Sequence, residues 1–156
     1  MGAGLYLHVP FCRRKCPYCN FYSVPAQPEL LTAYTAAVCR NLRHYGNAAQ
    51  PERVDTVYFG GGTPSLLLPA QITQILETAA EQFTLSADTE ITLETNPATV
   101  TPEQLRELRH AGINRLSLGV QSLSDAQLKR LGRLHTAQEA VETVYAAAEA
   151  GFRNLS

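Results

Sequence analysis

The chain is predicted to fold as an α/β protein with parallel strands, on three observations. Short apolar runs alternate with amphipathic stretches, each strand-to-helix junction carries a polar or glycine-rich segment, and no low-complexity linker divides the 156 residues. A strand, helix, strand rhythm needs crossover connections, which wind one way and give either an open sheet or a barrel.

The elements follow in order. Leu5 to Val9 is an apolar strand, followed by a cysteine-bearing loop and an amphipathic helix from Glu29 to Tyr45, with Gly46 and Asn47 as its stop signals. Val54 to Phe59 is a second strand, broken by Gly60 to Gly62, and Pro69 to Phe83 repeats apolar residues at helical spacing. Glu90 to Glu94 is a third strand, turned by Asn96 and Pro97. Thr101, Pro102 and Glu103 then start a helix, because Thr caps, Pro suits the first turn and an acidic residue favours the positive end of the helix dipole. That helix stops at Gly112, Arg115 to Val120 is a fourth strand, and helices over Ser124 to Leu131 and Thr136 to Ala150 precede a fifth strand starting at Phe152. A chain ending inside a fifth strand holds about half of an eight-stranded barrel's repeat, so residues 1–156 are expected to be a truncated domain.

Composition narrows the function. A formal net charge of −1 gives no global basic footprint for nucleic acid or an anionic membrane, so a small partner is expected. The first residues lack the basic start and apolar core of a signal peptide, and no run approaches the roughly 20 apolar residues that span a bilayer, so a cytoplasmic protein is expected. In that compartment four cysteines signify reduced thiols and metal binding rather than disulfides.

Cys12, Cys16 and Cys19 stand in a Cys-x3-Cys-x2-Cys spacing directly after the first strand. A [4Fe–4S] cluster normally takes four protein ligands, so three leave one iron for a ligand that is not protein. A zinc site is the competing reading and needs a fourth ligand such as His8 or Cys39. His8 suits a core or supporting role better than ligation, and Cys39, among Ala36, Ala37 and Val38, suits that of a small hydrophobe.

The remaining motifs lie beyond the C-terminal ends of the strands, the side where parallel α/β folds build active sites. Gly60-Gly61-Gly62-Thr63-Pro64 follows the second strand, Glu94 ends the third and Gln121 lies just past the fourth. The glycines permit close ligand approach, but the segment lacks the Lys of a P-loop and the spacing of a dinucleotide fingerprint. Glu94 can accept hydrogen bonds from a ligand's hydroxyl or amine groups, and Arg133 offers a fork for a ligand carboxylate. Arg13, Arg14 and Lys15 leave two readings open: attraction of an anionic substrate, or compensation of a cluster's negative charge.

Tyr6-x-His8-x-Pro10-Phe11-Cys12-x3-Cys16-x-Tyr18-Cys19, with Gly60-Gly61-Gly62-Thr63-Pro64 downstream, resembles the radical S-adenosylmethionine superfamily. Glu94-x-Asn96-Pro97, Arg115 to Ser122 and Leu131-Gly132-Arg133-x-His135 are similar to the oxygen-independent coproporphyrinogen oxidase-like family. The resemblance implies the N-terminal part of a partial (β/α) barrel, with Cys12, Cys16 and Cys19 binding a [4Fe–4S] cluster whose fourth iron is chelated by S-adenosylmethionine. It further implies that Tyr6 lies beside that cofactor, that Gly61, Gly62 and Thr63 contact its methionine moiety, and that Glu94, Gln121 and Arg133 hold its other polar parts. The implied chemistry is electron transfer from the cluster to the sulfonium and hydrogen abstraction by a 5′-deoxyadenosyl radical, the cofactor carrying the reaction while the protein orients it.

Within that family the oxidases proper carry a further cysteine two residues after the third ligand, where this chain has Asn20 and Phe21 after Cys19. The resemblance is accordingly to the branch that binds heme and delivers it to acceptor proteins, with a reducing protein as a second partner. Oxidative decarboxylation of coproporphyrinogen III to protoporphyrinogen IX is the enzyme alternative, and a zinc-stabilised binding module the third. The branch's heme-binding motif, C-terminal domain and later strands are expected beyond Ser156.

Overall fold

A computed structural model describes residues 2–48, 53–97 and 99–156. The strands are β1 (Ala3–Val9), β2 (Phe11–Cys12), β3 (Val24–Pro25), β4 (Arg53–Gly61), β5 (Thr84–Thr95), β6 (Arg115–Leu118) and β7 (Asn154–Leu155). The helices are α1 (Pro28–Ala48), α2 (Pro69–Gln82), α3 (Pro102–His110), α4 (Asp125–Arg130) and α5 (Ala137–Glu149), with a 3-10 turn at Pro64–Leu66.

Five strands form one parallel sheet in the order β1-β4-β5-β6-β7. The order never reverses, so every crossover steps the same way and the right-handed rule sends the helices to one face. That is the winding of a barrel, not of a doubly wound sheet, and it resolves the alternative that periodicity leaves open. Along each strand the faces alternate. Leu7 and Val9, Val57 and Phe59, Leu93 and Leu116 are buried in the apolar core, which also takes in Ile72 and Ile75 of α2 and Leu105 and Leu108 of α3. Tyr6 and His8, Tyr58, Glu94, Arg115 and Ser117 occupy the intervening positions and share the opposite face. A parallel sheet covered on both sides would read as unbroken apolar runs. The alternation here marks a face reserved for polar groups.

Several boundaries differ from the sequence expectation, each for a physical reason. Helix α1 runs through Gly46 and Asn47 instead of stopping there. A Cβ at Gly46 would lie 2.5 Å from Cβ of Gln82, so this glycine lets α1 press on α2 and is not a terminator. Strand β4 continues into Gly60 and Gly61, which pair with His8 and Val9 of β1. Strand β5 begins at Thr84, six residues before the apolar run. Its front part pairs with Arg53 and Val54, after which the register shifts. Thr89 closes the irregularity, accepting from the Ser86 N–H at 2.9 Å and donating to Val54 O at 3.0 Å. The cysteine loop is itself tied at both ends by a short parallel pairing of Phe11-Cys12 with Val24-Pro25. Strand β6 ends at Leu118, and β7 starts at Asn154 instead of Phe152. The helix starts follow the sequence signals: Thr101 and Thr136 each form a capping box, with Gln104 and Glu139 respectively.

Candidate cofactor site at the strand ends

A cleft of about 310 Å³ opens at the C-terminal ends of β1, β4, β5 and β6, within the range of ordinary small-molecule sites. Cys12, Cys16 and Cys19, Gly61, Gly62 and Thr63, Glu94, Gln121 and Arg133 all line it. Of the site residues expected from sequence, only Tyr6 does not. It is exposed beside the cleft: its ring stacks on Tyr58 with centroids 6.0 Å apart, and its hydroxyl lies 3.2 Å from His8 Nδ1.

The glycine segment is held by its own N–H groups. Gly61 N–H donates to Glu94 Oε2 at 3.0 Å, Gly62 N–H to Val9 O at 2.8 Å and Thr63 N–H to Phe11 O at 2.7 Å. An anion therefore finds no uncommitted donor among these three, in agreement with the missing phosphate signature. A Cβ at Gly62 would stand 2.6 Å from Phe11 O, and Gly61 has φ +117°, so glycine at both positions lets the segment lie flat against the strand leading into Cys12.

Glu94 is fixed from two sides, since Tyr58 OH donates to Oε1 at 2.8 Å while Gly61 N–H holds Oε2. An ionised carboxylate has about four lone-pair sites, so two hydrogen bonds leave capacity for a ligand's amine or hydroxyl groups. Burial, reinforced by the hydrogen bond to Glu94, raises the Tyr58 pKa and keeps that hydroxyl a donor. Gln121 is the one non-glycine among the described residues with positive φ, at 65°. A conformation of this kind costs about 1–3 kcal/mol and gathers where a site demands it.

Arg133 crosses the cleft. Its Nη1 lies 3.7 Å from Cys16 Sγ, and its Nη2 donates to Asn96 Oδ1 and, at 2.8 Å, to Gly119 O. Its Nε is buried without a protein partner. Across the site Thr63 Oγ1 lies 3.6 Å from Cys12 Sγ and accepts from Asn96 Nδ2 at 3.1 Å. Sequence reasoning reads Asn96 as a turn and as part of the Glu94-x-Asn96-Pro97 family motif but gives it no role in the site, although its place two residues beyond Glu94 at the end of one strand was a usable signal. Tyr18 and Ser117, named only within family motifs, and Tyr58 are likewise given no role in the site. Tyr18 packs against Arg133 and Cys16, and burial is the largest cause of its raised pKa.

The donor set fits an iron–sulfur cluster with a small organic ligand. All three loop cysteines are free thiols, half-buried on one cleft, with donors aimed at two of the sulfurs. The orphaned Arg133 Nε fits a ligand carboxylate, and the spare lone pairs of Glu94 fit an amine. The zinc alternative finds neither of its fourth ligands available. Both His8 ring nitrogens are engaged, Nδ1 with Tyr6 OH and Nε2 with Tyr22 O at 3.3 Å. Cys39 is buried against Gln74 O of α2. Among the described residues no three His, Cys, Asp or Glu side chains are gathered closely enough for a single ion.

Comparison with known proteins supplies the family. The model of the radical SAM superfamily matches residues 6–156. The chain belongs to the radical SAM superfamily. Among curated members, the heme chaperone HemW of Escherichia coli K12 is 40% identical over 98% of this chain and 41% of its own length. The mouse radical S-adenosyl methionine domain-containing protein 1, mitochondrial, is 43% identical over 91% of this chain and 32% of its own length. The solved radical SAM enzyme coproporphyrinogen III oxidase (HemN) from Escherichia coli superposes with a TM-score of 0.89 and 29% identity, over 97% of this chain and 35% of that one. The chain thus spans about two fifths or less of each of these proteins, and it shares the fold of the HemN structure as the front part of a partial barrel.

Proposed function

We propose that residues 1–156 form the cluster- and S-adenosylmethionine-binding part of a cytoplasmic heme chaperone, which carries heme to an acceptor protein and is served by a reducing protein. The observation that carries the cofactor assignment is the convergence of the three cysteines, the glycine segment, Glu94, Gln121 and Arg133 on one cleft. Cys12, Cys16 and Cys19 would hold three irons and leave the fourth to the amino and carboxylate groups of S-adenosylmethionine. Arg133 Nε is the buried donor suited to that carboxylate, and Glu94 the acceptor suited to the ligand's N–H or O–H groups. Gly61, Gly62 and Thr63 would shape the wall beside the methionine, and Gln121 would close the other side. Tyr6 would act through Tyr58, whose hydroxyl braces Glu94. With both groups bound, the site could supply one-electron cleavage of a sulfonium carbon–sulfur bond. The chain's own part is to bind, orient and shield.

Chaperone and oxidase share that site, so the choice rests on other grounds. Relatives named heme chaperones are 35–40% identical over nearly all of this chain, whereas the oxidase structure is 29% identical. Asn20 and Phe21 stand where the oxidases proper carry their additional cysteine. The fold likeness to the oxidase keeps decarboxylation as the second reading.

Electron paramagnetic resonance on anaerobically reconstituted, dithionite-reduced protein tests the cofactor assignment, with C16A as the blank. A reduced-cluster signal that shifts on adding S-adenosylmethionine, and is absent together with iron and sulfide in C16A, is expected. No cluster in folded wild-type protein rejects it. In the full-length protein, stoichiometric heme uptake with no protoporphyrinogen formed from coproporphyrinogen separates chaperone from oxidase; decarboxylated product reverses that choice.

A further inference from the structure

Asn96 joins two separate hydrogen bonds to sulfur. Its amide nitrogen donates to Thr63 Oγ1 at 3.1 Å, which occupies the hydroxyl's acceptor side and leaves its proton for Cys12 Sγ, 3.6 Å away. Its amide oxygen accepts from Arg133 Nη2, and the rigid guanidinium plane then aims Nη1 at Cys16 Sγ, 3.7 Å away. One planar amide thus fixes a neutral donor on one cysteine and a cationic donor on another, with the two cysteines four positions apart in the loop and Asn96 just past the end of β5. Thr63 is buried at 5% exposure, so water does not compete for its hydroxyl. The Gly119 carbonyl braces Arg133 from a third side at 2.8 Å. A Cβ at Gly119 would stand 2.7 Å from Asn96 Oδ1, so glycine there keeps the junction open.

We propose that Asn96 is a positioning residue which, through Thr63 and Arg133, directs hydrogen bonds onto the sulfurs of Cys12 and Cys16 and so raises the reduction potential of the cluster they hold. The proposal rests on the cluster assignment above. Its physical basis is that a one-electron donor adds negative charge to the cluster, part of which resides on the sulfurs. A hydrogen bond to sulfur stabilises the reduced form more than the oxidised one, and such bonds are among the factors that set cluster potentials. The two arms differ in kind. Thr63 contributes a dipole and Arg133 a full charge, so Asn96, which orders both, has more leverage on the potential than Thr63 alone.

The test is a dithionite redox titration followed by electron paramagnetic resonance on reconstituted wild-type, T63V, T63S and N96L proteins, with iron and sulfide measured in each. T63V keeps the side chain's shape and removes the donor, T63S restores the donor, and N96L releases both arms. The expected result is a more negative potential in T63V, recovery in T63S and the largest fall in N96L, at wild-type iron and sulfide content. A potential unchanged in T63V or N96L at full cluster content overturns the proposal while leaving the cluster assignment standing. Should T63V fail to hold a cluster, N96L against T63S decides by the same criterion. Wild-type protein without iron and sulfide overturns both, and that outcome is distinct from an unmoved potential.

Discussion

Glu94 and Asn96 stand two residues apart at one strand end and divide the site between them. Glu94 draws together Tyr58 and the glycine segment, whereas Asn96 draws together Thr63 and Arg133. Each uses a short, planar, multiply bonded side chain to hold groups from other strands, which is how loops at a strand end acquire a fixed geometry. Replacing Glu94 with Gln keeps the shape and removes the charge. Hydrogen bonds to charged groups contribute roughly 1.5–3 kcal/mol, so S-adenosylmethionine affinity is expected to fall about ten- to a hundredfold, with iron and sulfide content preserved. Calorimetric titration checks it, and equal affinity in E94Q and wild type would remove Glu94 from the ligand's contacts. E94A is expected to do worse, because it also strands the Tyr58 hydroxyl and the Gly61 N–H.

At the scale of elements, the apolar strands and capped helices were legible because one local signal defined each of them. Thr101-Pro102-Glu103 and Thr136 to Glu139 carry their starts in sequence, and both form the capping box there. Removing the Thr136 side chain by T136A is expected to cost about 1 kcal/mol, the usual value of an N-cap, as a lower midpoint in urea unfolding at unchanged slope. An unchanged midpoint would show that Asp125, which accepts from the Ala137 N–H at 2.7 Å, holds that helix start alone. What sequence did not show was whatever depends on a distant partner. Gly46 resembles a stop until Gln82 of the neighbouring helix is seen against it. Ser86 to Thr89 resembles a loop until Thr89 is found bonded to Val54 across the sheet. The cysteines, Gly61 to Thr63, Glu94 and Gln121 were legible by position at the strand ends and Arg133 by its side-chain chemistry and its family motif, and the structure brings them to one cleft. The role of Asn96 was not, because an amide before a proline already has a local explanation as a turn and its family motif names no partner for it.

At the scale of the whole molecule, the one-way strand order makes the site depend on every crossover, and the β6-to-α5 segment matches in length the β1-to-α1 segment that carries the cysteines. It carries Gln121 and Arg133 to the cleft, and His135 anchors it: buried at 5% exposure, its Nε2 donates to Val120 O at 3.1 Å. Burial is the largest cause of its lowered pKa, with the Arg133 charge pushing the same way. A histidine held neutral in the fold titrates at about 6.5 once unfolded. Above that pH neither state is protonated and the anchor contributes in full. As pH falls, the unfolded chain takes up a proton before the folded one does, so stability declines from about pH 6.5 down through the lowered folded value. H135Q keeps an amide N–H for the Val120 carbonyl and removes the titration. Urea unfolding of both proteins between about pH 7.5 and about 5.5 is expected to give a shallower loss for H135Q, whereas parallel curves would show that His135 does not link acid to the fold. Because Val120 and Arg133 flank that hydrogen bond, acid is also expected to loosen the side of the cleft that holds Gln121 and Arg133 before it reaches the cysteine loop. Amide exchange at Val120 and Gln121 should rise on acidification in wild type more than in H135Q, once corrected for the intrinsic pH dependence of exchange.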